Sequence, residues 1–173
     1  EKTASQLRNA LTNVIESGAE SLVFALRNNS GDLMSALGDS LDCIIGDCDV
    51  VKAKFSDHEE YVVHTTEAEK ISMPMAVIVN SGTASCGELF ALALRDESNA
   101  QLVGTSTAGK GIMQYTHKLS GGAAVKLTVA TVETKNSGNF NETGVKPNFE
   151  VALPSDVDLE TLTEENRLTL DTQ

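Results

Sequence analysis

Tryptophan is absent and aromatic residues of all kinds make up only 4% of the chain, so a core must be assembled from Val, Leu, Ile and Ala. No apolar run approaches the roughly 20 residues that a membrane-spanning helix requires. Cysteine is sparse: Cys43, Cys48 and Cys86 are odd in number and include no CxxC pair, so neither a disulfide framework nor a zinc site follows. A Cys43–Cys48 bridge is open in an oxidising compartment, and buried or idle thiols are the plainer expectation. Basic charge is also scarce, with 13 Lys and Arg against 25 Asp and Glu and a formal net charge of −12. Nucleic acid is thereby disfavoured as a partner, because its phosphates would be repelled. Beyond that, the acidity describes a solvated surface. No Met start, basic n-region or apolar h-region is present, and hence no signal peptide. A chain opening EKTASQL reads as an excised piece, so its start says little about location.

What is present suits one globular domain: 173 residues, 40% of them hydrophobic. Ala4, Leu7, Ala10, Leu11, Val14 and Ile15 recur at helical spacing over 3–17, and Gly18 suits the cap. SLVFAL at 21–26 is a short apolar run of the kind buried in a parallel sheet. The polar turn RNNSGD leads into a helix carrying Leu33, Met34, Leu37, Leu41 and Ile44, ended by Gly46. DVVKAKF and EYVVHTT read as two strands about a polar turn at Ser56–Glu59. MAVIVN is a further buried strand, Ala84 to Arg95 a helix, and AQLVG the strand after it. IMQYTHKL and AAVKLTVATVET alternate about a hairpin turn at Ser120-Gly121-Gly122. Past the turn-rich NSGNFNETG, Pro147 and FEVAL suggest a last short strand, and the acidic segment from Asp156 a terminal surface helix. Strands alternating with helices point to an α/β layered fold.

The chemistry concentrates in residues 75–111. Ser85 sits where a strand hands over to a helix, and Lys110 follows the next strand, one strand–turn–helix–strand unit later. A G-x-S-x-G nucleophile elbow is excluded by Thr83 two residues before Ser85, although a serine at such a turn still presents its hydroxyl. Gly104 to Lys110 matches the phosphate-loop pattern G-x-x-x-x-G-K. Gly111 stands in place of Ser or Thr, and a strand rather than a helix follows, so nucleotide binding is not supported. The remaining pairing is a Ser–Lys dyad. A serine hydroxyl needs a base to take its proton. A lysine of ordinary pKa is only ~0.04% neutral at pH 7, so the base needs an apolar, dried setting. Gly109 and Gly111 allow a tight loop around Lys110, and Ile112 and Met113 are placed to help dry it. An exposed loop lysine is the bland alternative.

GTASCGELFALALRD followed by LVGTSTAGKGIMQ resembles the C-terminal processing peptidases, or tail-specific proteases. Their pattern here is close to G-T-A-S-A-S-E and then V-G-x-x-T-x-G-K-G-x-x-Q. ESLVFALRNNSGD resembles the family's D-L-R-x-N-P-G-G segment, and ETGVKPNFEV its late G-I-x-P-D segment. Each match is weak alone, and the four lie in order over most of residues 20–152. The resemblance implies Ser85 as nucleophile, Lys110 as general base and Gln114 as the residue that orients the lysine. It implies an oxyanion hole from the backbone N–H groups of Gly31 and Cys86, where preorganised donors contribute about 3–4 kcal/mol each. It implies an α/β fold with a ClpP/crotonase-like spiral core of strands and helices and a C-terminal antiparallel β part.

On the same resemblance, residues 1–173 are a single peptidase catalytic core. A PDZ domain and the first core strand are expected to lie outside this chain. The implied activity is that of a serine-type endopeptidase acting on polypeptides near their C-termini. It is extracytoplasmic in a bacterium, attached to membrane only through parts beyond this chain, and without cofactor or metal. Departures from the pattern are Ala25 for Asp, Ser30 and Asp32 for Pro and Gly, Cys86 and Gly87 for Ala and Ser, and Asn148 for Asp. They motivate a second reading, a non-catalytic peptide-binding or scaffold domain retaining the fold. His58, His64 and His117 lack metal-ligand spacing and read as surface or strand histidines. Glu88 reads as a helix-start carboxylate favoured by the helix dipole. Cys86 at a helix N-terminus is a possible thiolate without an evident histidine partner.

Overall fold

The computed structural model describes residues 2–57, 60–65 and 69–152. In chain order the elements are α1 (Thr3–Glu16), β1 (Leu22–Ala25), α2 (Met34–Leu41), β2 (Cys48–Phe55) and β3 (Glu60–Thr65). They continue with β4 (Met75–Val79), α3 (Cys86–Ser98), β5 (Gln101–Gly104), β6 (Ile112–Lys118), β7 (Ala124–Thr134), β8 (Gly138–Asn139) and β9 (Phe149–Glu150). The helix expected from Asp156, His58 and part of the Ser56–Glu59 turn lie outside the described residues.

Two sheets enclose one helix. The first is parallel in the order β1-β4-β5-β9, with Leu22 opposite Met75, Ala76 opposite Gln101 and Val103 opposite Phe149. Parallel neighbours need a long crossover, and α3 supplies it between β4 and β5. The second sheet is antiparallel in the order β3-β2-β7-β6, with β8 on β7. The hairpin expected late in the chain is therefore half of a sheet completed by β2 and β3, while β9 returns to the parallel sheet.

α3 is buried at every position from Cys86 to Leu94 and packs against β4 and β5 on one side and β2 and β7 on the other. A helix apolar all round belongs inside a core. It runs three residues past the expected end at Arg95 and stops where Asn99 takes a left-handed conformation, φ 54°. α2 stops earlier than expected; Cys43 and Ile44 tighten into a turn through bonds to Ser40 and Leu41 carbonyls, and Leu41, Ile44 and Ile45 remain buried. α1 is the least covered of the three helices, with Leu11 buried and Val14 and Ile15 about two-fifths exposed, at 41% and 40%. All three cysteines are free thiols.

Candidate active site

The loop between β4 and α3 is sewn to the turn after β1. Asn80 Oδ1 accepts from the amides of Asn28 at 2.9 Å and Gly82 at 3.0 Å. The fully buried Thr83 hydroxyl donates to the Leu26 carbonyl at 2.8 Å, and Ala84 N–H to the Asn29 carbonyl at 2.9 Å. The asparagines of RNNSGD thus have a definite task, holding Gly31 against the start of α3. Ser85 emerges from this loop at φ 54°, ψ −120°. A non-glycine residue at positive φ is a strained position that persists only when its surroundings hold it. The serine therefore has the sharp elbow geometry although the G-x-S-x-G sequence is missing.

Glu88 holds that elbow to the Lys110 loop. Its side chain is fully buried. Oε2 accepts from Ser85 N at 2.8 Å and Lys110 N at 2.9 Å; Oε1 accepts from Gly109 N at 2.8 Å and from the Thr107 hydroxyl. One carboxylate therefore ties the backbone amides of both dyad candidates. The spacing Ser85-x-x-Glu88 is the capping-box signature, and it is the signal from which this position was legible.

The late turn NSGNFNETG supports Lys110 from the other side. Glu142 N–H donates to the Gly109 carbonyl at 2.8 Å, and Gly111 N–H to Asn141 Oδ1 at 3.2 Å. Asn139 Nδ2 bridges the carbonyls of Gly111 at 2.8 Å and Val132 at 2.7 Å. Nothing in the local sequence of that turn signalled the role. A register shift between Met113 and Gln114 on β6 then re-aims the strand beside the site.

These constraints bring Gly31, Ser85, Cys86, Lys110 and Gln114, all five site candidates, to the wall of one cavity of about 480 Å³. Among the described residues, no protein acceptor takes the Cys86 N–H, which faces the Gly31 turn. A Cβ on Gly31, at φ +65°, would lie 2.5 Å from Cys86 N and fill the space before that amide. Two details differ from expectation. Gly31 N–H is engaged by Asn29 Oδ1 at 2.9 Å, so only the Cys86 donor stands open. Lys110 is exposed, with Ile112 and Met113 half-buried beside it, so the drying expected of that pocket is partial. Gln114 Nε2 donates to Thr128 Oγ1 at 3.4 Å.

Several departures acquire a physical reason. Gly87 abuts the Asn29 carbonyl, which would lie 2.7 Å from a Cβ there, so the serine of the family pattern does not fit this turn. Asn148 Oδ1 accepts Leu102 N–H at 2.9 Å, a task its amide performs without charge. The Cys86 thiol is pushed up from its ordinary value, foremost by burial, while its sulfur donates to the Asp32 carbonyl at 3.3 Å. A neutral thiol is a poor nucleophile, which argues against Cys86 as the attacking group. Nothing in the structure explains Ala25. His117 lies on β6 opposite Val125 and does not line the cavity, and His64 pairs through its backbone with Asp49. No group of three or more His, Cys, Asp or Glu able to hold a metal occurs among the described residues.

The chain is similar to known processing proteases. The carboxy-terminal processing protease CtpA of Bacillus subtilis (strain 168) is 34% identical over 155 residues, covering 89% of this chain and 33% of that protein. The carboxyl-terminal-processing protease of Synechocystis sp. (strain ATCC 27184 / PCC 6803 / Kazusa) is 34% identical over 151 residues, covering 86% and 35% respectively. The solved photosystem II D1 C-terminal processing protease superposes with a TM-score of 0.80 at 32% identity, over 92% of this chain and 42% of that one. The chain spans about a third of the length of these two curated relatives, 33% and 35%. The model of peptidase family S41 matches residues 1–151, and the chain belongs to that family.

Proposed function

We propose that this chain carries the catalytic site of a serine-type endopeptidase that cuts polypeptides near their C-termini. The observation that supports it best is the convergence of Ser85, Lys110, Gln114, Gly31 and Cys86 on one cavity from three separate stretches of chain. Ser85 Oγ attacks the scissile carbonyl while Lys110 Nζ takes its proton. The oxyanion forms before the Cys86 N–H, joined by the Gly31 N–H as it turns from Asn29. Collapse breaks the C–N bond, and the lysine proton passes to the leaving amine. Water, deprotonated by the same lysine, then attacks the acyl carbon; the C–Oγ bond to Ser85 breaks and the lysine returns the proton to Oγ. Gln114 orients Lys110 through its amide oxygen. The bound polypeptide itself supplies the water exclusion that the free cavity has only in part.

C-terminal tails are the substrate class because processing at that end is what the names of the relatives describe. A PDZ domain elsewhere in the protein and an extracytoplasmic bacterial location belong to the same proposal. The second reading, a peptide-binding scaffold, draws on the engaged Gly31 amide and the exposed Lys110. Hydrolysis of casein by the intact protein, beside Ser85→Ala and Lys110→Ala, separates the two. Each variant is expected to lose at least a thousandfold in kcat. Equal cleavage by all three removes the dyad, and peptide binding without cleavage by the intact protein favours the scaffold.

A further inference from the structure

The catalytic cavity does not stand alone. A second cavity, of about 330 Å³, shares Gly31, Asp32, Leu33 and Cys86 with it and runs back between α1, α2 and α3. A third, of about 520 Å³, shares Met113 and Gln114 with it and continues along the β6–β7 hairpin. The three form a row with Ser85 in the middle.

The second cavity is apolar in function as well as in composition. Leu7, Phe24, Leu26, Leu37 and Phe90 line it, and the Phe24 and Phe90 rings meet edge to face at 5.6 Å as a firm wall. Thr3 and Asp32 also line it, Asp32 where it joins the first cavity, and three of its other polar groups are already engaged. Asn29 Oδ1 holds Gly31 N–H, Ser40 Oγ donates to the Ala36 carbonyl at 2.6 Å, and Cys86 Sγ donates to the Asp32 carbonyl. An acidic side chain entering there meets the like charge of Asp32, which adds to the cost of its desolvation. In the third cavity Tyr115 and Leu127 face each other across the hairpin, 64% and 52% exposed, beside Phe55 and Val129.

Chemistry orders the row. If the oxyanion lies at the Cys86 and Gly31 amides, the side chain attached next to that carbonyl falls toward the cavity those residues share. The leaving amine must face Lys110, so the chain beyond the cut runs past Gln114 toward the hairpin. Resting on the peptidase reading, we propose that the substrate is an extended tail with a large aliphatic residue on the acyl side and an apolar residue on the leaving side of the cut. The α1–α2–α3 cavity selects the first and the Tyr115–Leu127 surface selects the second. Ala36 lines the acyl-side cavity, and α1, so little covered elsewhere, contributes Leu7 to its wall.

The test uses one peptide series in which the acyl-side residue is Ala, Leu, Asp or Lys and the leaving-side residue is Phe or Asp. A matching acyl p-nitroanilide has no residue beyond the cut. The intact protein is expected to favour Leu over Ala by at least about tenfold, since a single methylene in an apolar pocket gives about 10–200-fold. Asp on the acyl side is expected to react more slowly still, with Lys between Asp and Leu because the Asp32 carboxylate lines the shared wall. Ala36→Phe is expected to bring the Leu/Ala ratio down to about one or below. Leu127→Asp is expected to lower kcat/KM for the Phe-bearing peptide relative to the anilide by about tenfold. A thermal melt of each variant establishes that it folds, and selectivity ratios cancel any loss of active protein. Turnover without acyl-side preference, or with ratios unmoved by the variants, overturns the subsites while leaving the peptidase reading intact. No turnover of any member, including the anilide, overturns the peptidase reading and the subsites with it.

Discussion

Glu88 shows how much one residue can carry. A carboxylate offers acceptors on both oxygens, and here they receive Ser85 N–H, Lys110 N–H, Gly109 N–H and the Thr107 hydroxyl. Glu88→Gln keeps the shape but turns an NH₂ group toward two of those donors. It is expected to lower stability by about 1–3 kcal/mol and to reduce kcat at least tenfold with a smaller change in KM. Urea unfolding and steady-state kinetics well below the melting temperature check this. Wild-type kcat in the folded variant would show that Glu88 braces the loops without positioning the dyad. The helix-dipole reading of Glu88 from sequence was sound as far as it went, since the residue does lie in the first turn of α3. The Gly109 and Lys110 amides it also holds come from 21 and 22 residues away and were invisible to that reading.

At the scale of elements, the Lys110 loop is held between α3 and the turn around β8. Local sequence identified the loop as tight and glycine-flanked, and identified the later segment as turn-rich. It did not connect the two, because side-chain amide bonds across 28 and 30 residues leave no periodicity to read. Asn139→Ala removes both bridging bonds from Nδ2 and the Oδ1 acceptor for Asn141 N–H at 3.0 Å. The expected outcome is faster hydrogen exchange at the Gly109 and Gly111 amides, with a stability loss of about 1–3 kcal/mol and a lower kcat. Unchanged exchange at those amides would mean that Glu88 alone holds the loop. The same limit explains the strand assignments. Alternation found β2, β3, β6 and β7 singly, whereas the pairing of β2 with β7 is a long-range choice.

At the scale of the molecule, α3 is in contact with both sheets, so its packing couples them. Leu92 is 1% exposed in the middle of that helix. Leu92→Ala is expected to cost about 2–5 kcal/mol and to lower the midpoint of one cooperative transition. Far-ultraviolet circular dichroism and the fluorescence of Tyr61 and Tyr115, both on the antiparallel sheet, are expected to move together. Separate transitions would show that the sheets fold independently.

Composition, apolar periodicity and the order of four short motifs were enough to establish an α/β peptidase-family chain and to nominate Ser85 and Lys110, since these signals lie within neighbouring residues. The assembled fold alone decided that Gly31, Ser85, Cys86, Lys110 and Gln114 share one cavity. It also decided that Asn29 engages the Gly31 amide, that Lys110 faces solvent, and that two further cavities adjoin the site. Those facts depend on hydrogen bonds and packing between segments distant along the chain, whose geometry exists only once the two sheets have closed on α3.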